Sequence, residues 1–457
     1  MRGGPGVQRV GCDTACESQE ESMRRQILHA GAGQLRYMIR EIVQIAREIE
    51  RLGQPVLWEN IGDPVRKGES PPDWIKQLVG QAATEDMSYA YSDTQGEAAT
   101  RGFLAERANG RLDGEAAGAR ITPDDILFFN GLGDAVSKLF GQLRPQARVI
   151  GPSPAYSTHS SAEAAHSGYE HLTYQLDPEN GWLPDLQELE NTIHYNPTIA
   201  GILIINPDNP TGVVYPRHIL EGFVAIARRY NLFLICDETY AHVVYGGAQE
   251  VHLNQIIGDV PGIAMRSISK EFPWPGARCG WIEVYNRTAD ADFAGYVESI
   301  LAAKRLEVCS TTLPQRVIPL VMGDARYAGH LGQRNREYES RAGEVCAALS
   351  GIPGVRVNRP QGGFFATPVF DPAMLPAAGR LEIANPGIRR LVEQRLPGAA
   401  ADARFVYWLL GSTGICTVPL SGFCSRLPGF RMTLLESDPE VRAGMLDRLA
   451  AAIRSYG

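Results

Sequence analysis

Residues 201–240 read GILIINPDNPTGVVYPRHILEGFVAIARRYNLFLICDETY, and they carry the strongest structural signal in the chain. The apolar runs at 201–206 and 232–236 have the length and β-branched content of strands that are buried on both faces. Residues 217–230, which lie between these runs, place their apolar side chains on one side of a helix. A strand, a crossover helix and a second strand form the unit that produces neighbouring parallel strands. We therefore predict a mostly parallel sheet flanked by helices.

The same alternation of short apolar runs and helical stretches extends from about residue 70 to about residue 310. Residues 263–269 read as a further strand. Residues 39–49, ahead of this region, have apolar side chains at three- and four-residue spacing, which predicts an amphipathic helix that ends near Gly53. A polar helical stretch at 334–350 precedes further short apolar segments, which predict a smaller α/β domain.

These patterns predict four consecutive parts of the chain. Residues 1–36 form a leader and N-terminal arm, and residues 37–70 form the N-terminal part of a small domain. Residues 71–324 form the large domain, and residues 325–457 form the C-terminal part of the small domain. This last part contains an insert at 371–403 that is rich in Pro, Ala and Gly. We expect the insert to be flexible and hypothesise that it is a lid over the functional site.

Composition excludes several classes of protein. Hydrophobic residues make up 44% of the 457 residues and charged residues 21%, as in ordinary globular proteins. The net charge of -8 is spread without a long block of one sign, which argues against nucleic acid as a partner. No apolar run approaches the roughly 20 residues that a membrane helix needs, and the N-terminus lacks the apolar core of a secretory signal. We predict a cytoplasmic protein that has no membrane partner.

The cysteines and histidines indicate neither a disulfide framework nor a metal site. The eight cysteines are scattered through the chain, so free thiols are expected. Cys12 and Cys16 are close in sequence, but no Cys or His pair follows at zinc-ligand spacing. The nine histidines show no metal-ligand pairing either. We therefore predict no metal site.

Three polar clusters follow the predicted strands. They are Asn206-Pro-Asp-Asn-Pro-Thr-Gly212, Asp237-Glu-Thr-Tyr240 and Ser267-Ile-Ser-Lys270. In open parallel sheets a ligand lies beyond the carboxyl ends of the strands, so these clusters mark a site. Ser267, Lys270 and Arg278 offer a hydroxyl, an amine and a guanidinium, which suit an anionic carbonyl cofactor.

The order NPDNPTG, DETY, SISK and an arginine eight residues after the lysine resembles the fold-type I (class I/II) aminotransferases, which depend on pyridoxal 5'-phosphate. The resemblance covers nearly the whole chain and is closest to the alanine-type members. Its other motifs, in chain order, are Asn60-Ile-Gly-Asp-Pro64, Tyr91 with Gly96, Asn130-Gly-Leu-Gly-Asp134, Pro154-Ala-Tyr156 and Phe430-Arg431. It implies a large domain with a mostly parallel sheet flanked by helices, and a smaller α/β domain.

The resemblance implies how the cofactor is held. Lys270 forms the Schiff base, and its released amine moves a proton during the reaction. Asp237 favours the protonated ring nitrogen of the cofactor. Tyr240 and Asn209 hydrogen-bond to the phenolic oxygen, and Tyr156 stacks on the ring.

The phosphate group requires several donors. The turn at Gly131, Leu132 and Gly133, ahead of a helix predicted at 134–143, offers backbone N–H groups and a positive helix end. Ser267, Ser269 and Arg278 complete the phosphate site. In the family, a tyrosine at the position of Tyr91 reaches the phosphate of the neighbouring subunit, which implies a homodimer with shared active sites.

Arg431 resembles the arginine that holds the substrate α-carboxylate, assisted by Asn209 and the backbone at Gly62. Tyr37 and Arg40 resemble the start of alanine-type aminotransferases, in which they border the substrate pocket. The implied reaction moves an amino group from an alanine-like amino acid or glutamate to a 2-oxo acid, in a ping-pong cycle between the pyridoxal and pyridoxamine forms.

Alternatives remain open on the sequence alone. A pyridoxal-phosphate-dependent lyase or decarboxylase would use the same cofactor contacts. A ligand-sensing regulator without enzymatic activity would need an additional basic DNA-binding region, which the sequence does not indicate. Taken singly, Lys270 is typical of a solvated surface charge, Asp237 of a helix cap and Arg431 of a structural ion pair. Their order along the chain favours the enzyme.

Overall fold

The computed structural model describes residues 31–34 and 38–456. In chain order, its strands are β1 (Leu57–Trp58), β2 (Ile126–Phe129), β3 (Arg148–Ser153), β4 (Thr173–Asp177), β5 (Leu183–Pro184), β6 (Ile199–Ile205), β7 (Phe233–Asp237), β8 (Gly262–Ser267), β9 (Gly280–Tyr285), β10 (Val355–Arg356), β11 (Phe365–Ala366), β12 (Val369–Phe370), β13 (Ile415–Cys416), β14 (Val418–Pro419) and β15 (Phe430–Thr433).

The α-helices in chain order are α1 (Met38–Arg51), α2 (Asp73–Ala83), α3 (Ala98–Gly110), α4 (Leu132–Gly141), α5 (Ser157–Ser167), α6 (Leu186–Tyr195), α7 (Arg217–Tyr230), α8 (Leu253–Ile256), α9 (Ile268–Glu271), α10 (Ala291–Arg305), α11 (Thr312–Met322), α12 (Tyr327–Leu349), α13 (Pro386–Glu393), α14 (Ala401–Thr413) and α15 (Pro439–Ser455). Within the described residues, none of these helices is long and apolar enough to cross a membrane.

An eight-stranded sheet of order β2-β9-β8-β7-β6-β3-β4-β5 forms the centre of the molecule. The pairs β7–β8, β6–β7, β3–β6 and β3–β4 are parallel, whereas β9 runs antiparallel to both of its neighbours. The prediction of a mostly parallel sheet is thus confirmed. Because β6, β7 and β8 are parallel, the three polar clusters that follow them lie at the same edge of the sheet.

Strand β6 explains why this sheet has helices on both sides. Ile202 and Ile204 belong to one hydrophobic cluster and Leu203 and Ile205 to another, as expected when successive side chains point to opposite faces. Helix α7 packs Phe223 into the first cluster. Helices α4 and α10 supply Val136, Leu139, Val297 and Ile300 to the second cluster. Burial on both faces therefore requires the continuous apolar run seen in the sequence.

A third hydrophobic cluster lies around the short strands β11 and β15, outside the central sheet. It joins apolar side chains of helices α1, α12, α14 and α15 to those of strands β11 and β15. Strand β15 lies between β11 and β14 and is antiparallel to both. This arrangement places β15, and with it Arg431, in the interior.

The segment 371–403 is not the flexible lid that its composition suggested. It contains helix α13, in which Asn385 accepts hydrogen bonds from the backbone N–H groups of Gly387 and Ile388, and Pro386 occupies the first turn. Asn and Pro therefore mark a helix start here and not a loop. Ile383, Ile388 and Val392 are buried in the third cluster, so they anchor the segment to the core.

Candidate active site

A cavity of about 680 Å³ opens at the edge of the sheet where β6, β7 and β8 end. It brings together most of the residues that the sequence singled out, which come from the predicted large domain and from both segments of the predicted small domain. Those that line it are Gly62, Leu132, Gly133, Tyr156, Asn209, Asp237, Tyr240, Ser267, Ser269, Lys270, Arg278 and Arg431. No residue of 371–403 is among the described residues that line it.

Four predicted residues are placed differently. Gly131 immediately precedes the lining residue Leu132, next to the cavity. Tyr91 does not line the cavity and has 82% of its surface exposed. Tyr37 lies outside the described residues, as does the side chain of Arg40, although the backbone of Arg40 is part of α1.

Lys270 is located in the short helix α9, directly after β8. Its half-buried side chain enters the cavity, where the Nζ atom donates a hydrogen bond to the carbonyl oxygen of Gly62 at 2.6 Å. Burial lowers the pKa of Lys270 to about 8, against the attraction of Asp63 and with help from the guanidinium groups of Arg431 and Arg278. A lysine in this setting differs from a solvated surface charge, because a substantial fraction of its amine is neutral near pH 8.

Asp237 ends β7, and its buried carboxylate has two sets of donors. Its Oδ2 atom lies 2.8 Å from Nε2 of His159, while Oδ1 accepts from the backbone N–H and the hydroxyl of Thr239 at 3.0 and 2.6 Å. Burial alone would raise the pKa of Asp237, but these hydrogen bonds hold it below its usual value. The carboxylate is therefore charged. It caps a turn through Thr239, as the alternative interpretation of the sequence proposed, but it also faces the cavity.

His159 was missed at the level of the sequence, where the histidines appeared ordinary. It lies three residues after Tyr156, in the first turn of α5, with its side chain almost fully buried. The two rings lie edge to face, with centroids 6.2 Å apart, and both line the cavity. The spacing of three residues from Tyr156 was the available signal, but only the fold shows that His159 reaches Asp237.

Tyr240 is enclosed by aromatic rings. Its ring centroid lies 5.2 Å from that of Phe364 and 5.9 Å from that of Phe365, both in edge-to-face geometry. Burial raises the pKa of Tyr240 well above its usual value. The side chain therefore presents a neutral hydroxyl to the cavity.

An anion-binding arrangement lies at the start of α4. Gly131 has a φ angle of 83°, which turns the chain from β2 directly into a helix that begins at Leu132 and not at residue 134 as predicted. A Cβ atom at Gly131 would lie only 2.3 Å from Nη2 of Arg278, so only glycine allows this approach. The first turn of a helix has N–H groups without helical partners. With the guanidinium beside it, this turn suits a phosphate group.

The hydroxyls of Ser267 and Ser269 lie at the same end of the sheet. The two Oγ atoms are 2.7 Å apart, and the Ser267 hydroxyl also donates to the carbonyl of Cys279 at 3.1 Å. Both side chains are buried and line the cavity. They add two polar groups close to the arginine and the helix start.

Arg431 is a buried cation in strand β15, with 2% of its surface exposed. Its Nη1 atom donates to Oδ1 of Asn209 at 3.1 Å, and its Nη2 atom donates to the carbonyl of Asn60. The guanidinium also lies 4.3 Å from the centre of the Phe365 ring. These contacts fix its orientation toward the cavity, where a forked donor matches a carboxylate.

The mouth of the cavity carries charged groups that the sequence did not reveal. Helix α1 contributes Arg47, and the segment after β1 contributes Asp63 and Arg66. The Arg66 side chain is 73% exposed and lies 3.5 Å from Asp63. No motif in the sequence singled out Arg47 or Arg66, because only the fold brings α1 and the segment after β1 to the same cavity.

Comparisons with known proteins agree with this geometry. The family model described as aminotransferase class I and II matches residues 58–449. An uncharacterised aminotransferase of Methanocaldococcus jannaschii is 51% identical over 434 residues, which cover 95% of this chain and 99% of that protein. The glutamate-pyruvate aminotransferase of Escherichia coli K12 is 29% identical over 72% of this chain and 79% of that protein. The structure of an alanine aminotransferase from Pyrococcus furiosus superimposes with a TM-score of 0.79 and 26% identity, and covers 93% of this chain and 98% of that chain.

Proposed function

The chain belongs to the class I and II aminotransferases, and we propose that it moves the amino group of alanine or glutamate to a 2-oxo acid with pyridoxal phosphate bound at Lys270. It is an aminotransferase of the fold-type I architecture, a family that generally uses this cofactor. The observation that carries the proposal is the convergence of the Lys270 amine, the Asp237 carboxylate and the Arg431 guanidinium on one cavity.

The residues present fit pyridoxal phosphate. The charged Asp237 is buried in the cavity wall, and the Gly131 turn leaves just enough space for the guanidinium of Arg278 at the start of α4. The guanidinium of Arg278 and the start of α4 suit a negatively charged phosphate. The carboxylate of Asp237 suits a protonated ring nitrogen. When bound, the cofactor supplies an aldehyde and a ring that withdraws electrons from the α-carbon of the substrate.

Lys270 would hold the aldehyde and later move a proton at its Nζ atom. An amine with a pKa near 8 accepts a proton near neutral pH far better than an ordinary lysine, which makes it a suitable general base. The contact with the Gly62 carbonyl shows that Nζ reaches across the cavity to the opposite wall. Rotation of the side chain would therefore allow Nζ first to hold the aldehyde and later to move the proton.

Asp237 would hold a proton at the ring nitrogen, and His159 and Thr239 would position Asp237. His159 is a positioning residue in this scheme because it acts through the carboxylate. Tyr240 and Asn209 would donate to the phenolic oxygen, and Tyr156 would pack on the ring. Ser267, Ser269, Arg278 and the backbone at Gly131, Leu132 and Gly133 would bind the phosphate.

Arg431 would bind the α-carboxylate of the substrate, next to Asn209 and the backbone of Gly62. The carboxylate meets a guanidinium whose orientation is already fixed by Asn209 and Asn60. Preorganised donors lose less entropy on binding than mobile ones. Substrate would therefore arrive with its α-carbon directed toward Lys270.

The proposed substrate class rests on two further features. Two relatives carry the names glutamate-pyruvate aminotransferase and alanine aminotransferase. In addition, Arg47 and Arg66 at the cavity mouth offer cations to the second carboxylate of glutamate or 2-oxoglutarate. Tyr37 and Arg40 remain predicted neighbours of this pocket.

We further propose a homodimer in which Tyr91 reaches the phosphate site of the partner subunit. A tyrosine with 82% of its surface exposed suits a residue that contributes to a neighbouring subunit. We also propose the four-part domain organisation that the sequence predicts. The cytoplasmic location predicted from the sequence is likewise a proposal.

The half-reaction tests the proposal directly. We expect alanine or glutamate, added singly to the cofactor-loaded protein, to convert the visible absorbance to that of the pyridoxamine form. The keto acid that corresponds to the added amino acid should appear in stoichiometric amount in this step. Addition of pyruvate or 2-oxoglutarate should then reverse the spectral change and give the corresponding amino acid. Release of ammonia or carbon dioxide without reversal would instead identify a lyase or a decarboxylase.

A further inference from the structure

Two histidines and a glutamate meet in the loop between β7 and α8. Nδ1 of His242 and Nε2 of His252 each lie 2.6 Å from the same atom, Oε1 of Glu250. One ligand atom from each side chain falls within 4.8 Å of those from the other two. We call this group the His242–Glu250–His252 cluster. Imidazole nitrogen and carboxylate oxygen are the donors that divalent zinc prefers when no thiolate is present.

The second nitrogen of each imidazole faces another carboxylate. Nδ1 of His252 lies 2.8 Å from Glu238, and Nε2 of His242 lies 3.6 Å from Glu271. A metal-binding histidine usually donates its other N–H group to a carboxylate, which fixes the ring and makes the ligating nitrogen more basic. His252 has this arrangement, whereas His242 and Glu271 form an ion-pair contact that is too long for a hydrogen bond.

The outer carboxylates are themselves held in place. Glu238 accepts hydrogen bonds from the backbone N–H of Leu253 at 2.7 Å and forms an ion pair with Arg266 at 2.6 Å. The hydroxyl of Tyr327 donates to Glu271 at 2.7 Å. A metal ion would thus enter a site whose supporting groups are already fixed, and fixed support is what gives a metal site its precision.

We propose that the cluster binds one divalent ion of the zinc class through Nδ1 of His242, Nε2 of His252 and a carboxylate oxygen of Glu250, with solvent as the fourth ligand. Ligand atoms around tetrahedral zinc are roughly 3.3 Å apart, as follows from bond lengths of about 2.0 Å. Glu250 must therefore withdraw by a fraction of an ångström. Its side chain is 34% exposed, which allows that movement and gives the ion a path from solvent.

The position of the cluster suggests what the ion does. Glu238 directly follows Asp237, and Glu271 directly follows Lys270. The ion would tie the loop that carries His242 and His252 to the ends of β7 and β8, through the outer carboxylates. It stabilises the fold around the cavity and takes no part in the chemistry within it.

Metal titration of the purified full-length protein, after chelator treatment and with its cofactor present, tests this inference. Zn²⁺ alone should bind with a stoichiometry of one per chain and raise the melting temperature. Glu250→Gln retains an acceptor oxygen, and His242→Gln replaces a partly exposed ring, so both variants should fold. Each should weaken binding on the order of 100-fold or more, since loss of an outer partner alone costs about 10–100-fold.

His194→Gln, at an exposed histidine away from the cluster, is the matched control and should bind as the unaltered protein does. Co²⁺ as a probe should give a spectrum without thiolate charge-transfer bands, which excludes the cysteines. Lack of stoichiometric Zn²⁺ binding, thiolate bands, or unchanged affinity in either Glu250→Gln or His242→Gln would overturn the proposal. The cluster would then be a network of hydrogen bonds only.

Discussion

The ends of strands β7 and β8 present two different polar environments on neighbouring residues. Asp237 and Lys270 line a cavity of about 680 Å³, whereas the next residues, Glu238 and Glu271, contact histidines outside it. Asp237 ends strand β7 and Glu238 follows it, and successive side chains of an extended chain point to opposite sides. Lys270 and Glu271 are successive residues of helix α9, where neighbouring side chains are rotated by about 100°. Each short motif can therefore supply both environments. In each motif, one residue has a proposed role in the chemistry, whereas its neighbour contacts the structure around the cavity.

Both environments pair a carboxylate with a histidine, yet the pairs differ in what else they touch. His159 and Asp237 border a space large enough for a cofactor and substrate. Burial would raise the pKa of Glu238, but the Arg266 guanidinium and the hydrogen bonds from His252 and the backbone of Leu253 lower it to about 2. A histidine–carboxylate contact alone therefore does not identify a catalytic site; the adjoining cavity does.

The largest expected effect comes from Lys270→Ala. Loss of the amine that is proposed to hold the cofactor and move the proton should lower kcat by at least about 10⁴-fold, the upper range for a general acid–base group. Steady-state transamination with alanine and 2-oxoglutarate is the measurement. Lys76→Ala removes an exposed lysine and serves as the control. Retention of more than a few per cent of the activity by Lys270→Ala would contradict the assignment.

Asp237→Asn and Glu238→Gln together test whether Asp237 acts in catalysis and Glu238 in stability. Asp237→Asn should lower kcat on the order of 10²–10³-fold, because a charge that stabilises the reacting state is lost. Glu238→Gln should leave the buried Arg266 with Glu283 as its remaining charged partner, and should cost up to about 3–5 kcal/mol of stability, the range for a buried pair that is fully broken. Urea unfolding and kcat per folded molecule separate the two effects. The contrast fails if Glu238→Gln lowers kcat as much as Asp237→Asn does.

Arg431→Lys tests whether the guanidinium is a substrate ligand. A lysine cannot provide two parallel donors, so kcat/KM should fall by about 10- to 100-fold for every amino acid tested, which corresponds to the loss of one or two strong hydrogen bonds. An unaltered kcat/KM would mean that Arg431 only joins β15 to Asn209 and Asn60.

The pH profile should reflect Lys270. A general base acts in its neutral form, so the rate of proton abstraction should rise about tenfold per pH unit below 8 and level off above it. Single-turnover measurements from pH 6 to pH 9.5, with deuterium at the α-carbon to expose this step, provide the check. A rate that continues to rise tenfold per pH unit up to pH 9.5, without levelling off, would show that burial does not lower the pKa of the amine.

The smallest expected effect concerns the mouth of the cavity. Arg47→Ala and Arg66→Ala should raise KM for glutamate about two- to fivefold, as expected for exposed ion pairs. KM for alanine should stay unchanged, because alanine has no second carboxylate. Alanine thus provides the internal control, and an equal effect on both amino acids would remove these arginines from substrate selection.

The sequence predicted the central sheet well because its strands and helix α7 have strong periodic signals. Residues 217–230 form a helix with the predicted bounds, and the strand ends differ by at most two residues. Boundaries shifted where tertiary contacts intervene, as at Gly131. The family-like motifs indicated most of the residues that line the cavity, since they follow strands and therefore have defined positions.

Other features depended on packing that no local pattern reveals. Arg47 reaches the cavity because α1 packs beside the segment that contains Gly62 and Asp63. The segment 371–403 appeared flexible from its Gly and Pro content, yet it contains a helix whose apolar side chains are buried in the third cluster. His242 and His252 are ten residues apart in sequence, and only the course of the loop brings them to Glu250.

Identification of the lysine that holds the cofactor is the most direct test of the central claim. Borohydride should fix pyridoxal phosphate covalently to the protein, and mass spectrometry of the digested chain should find the added mass on the peptide that contains Lys270 alone. Modification of another lysine in place of Lys270, or the absence of any fixed cofactor, would contradict the account.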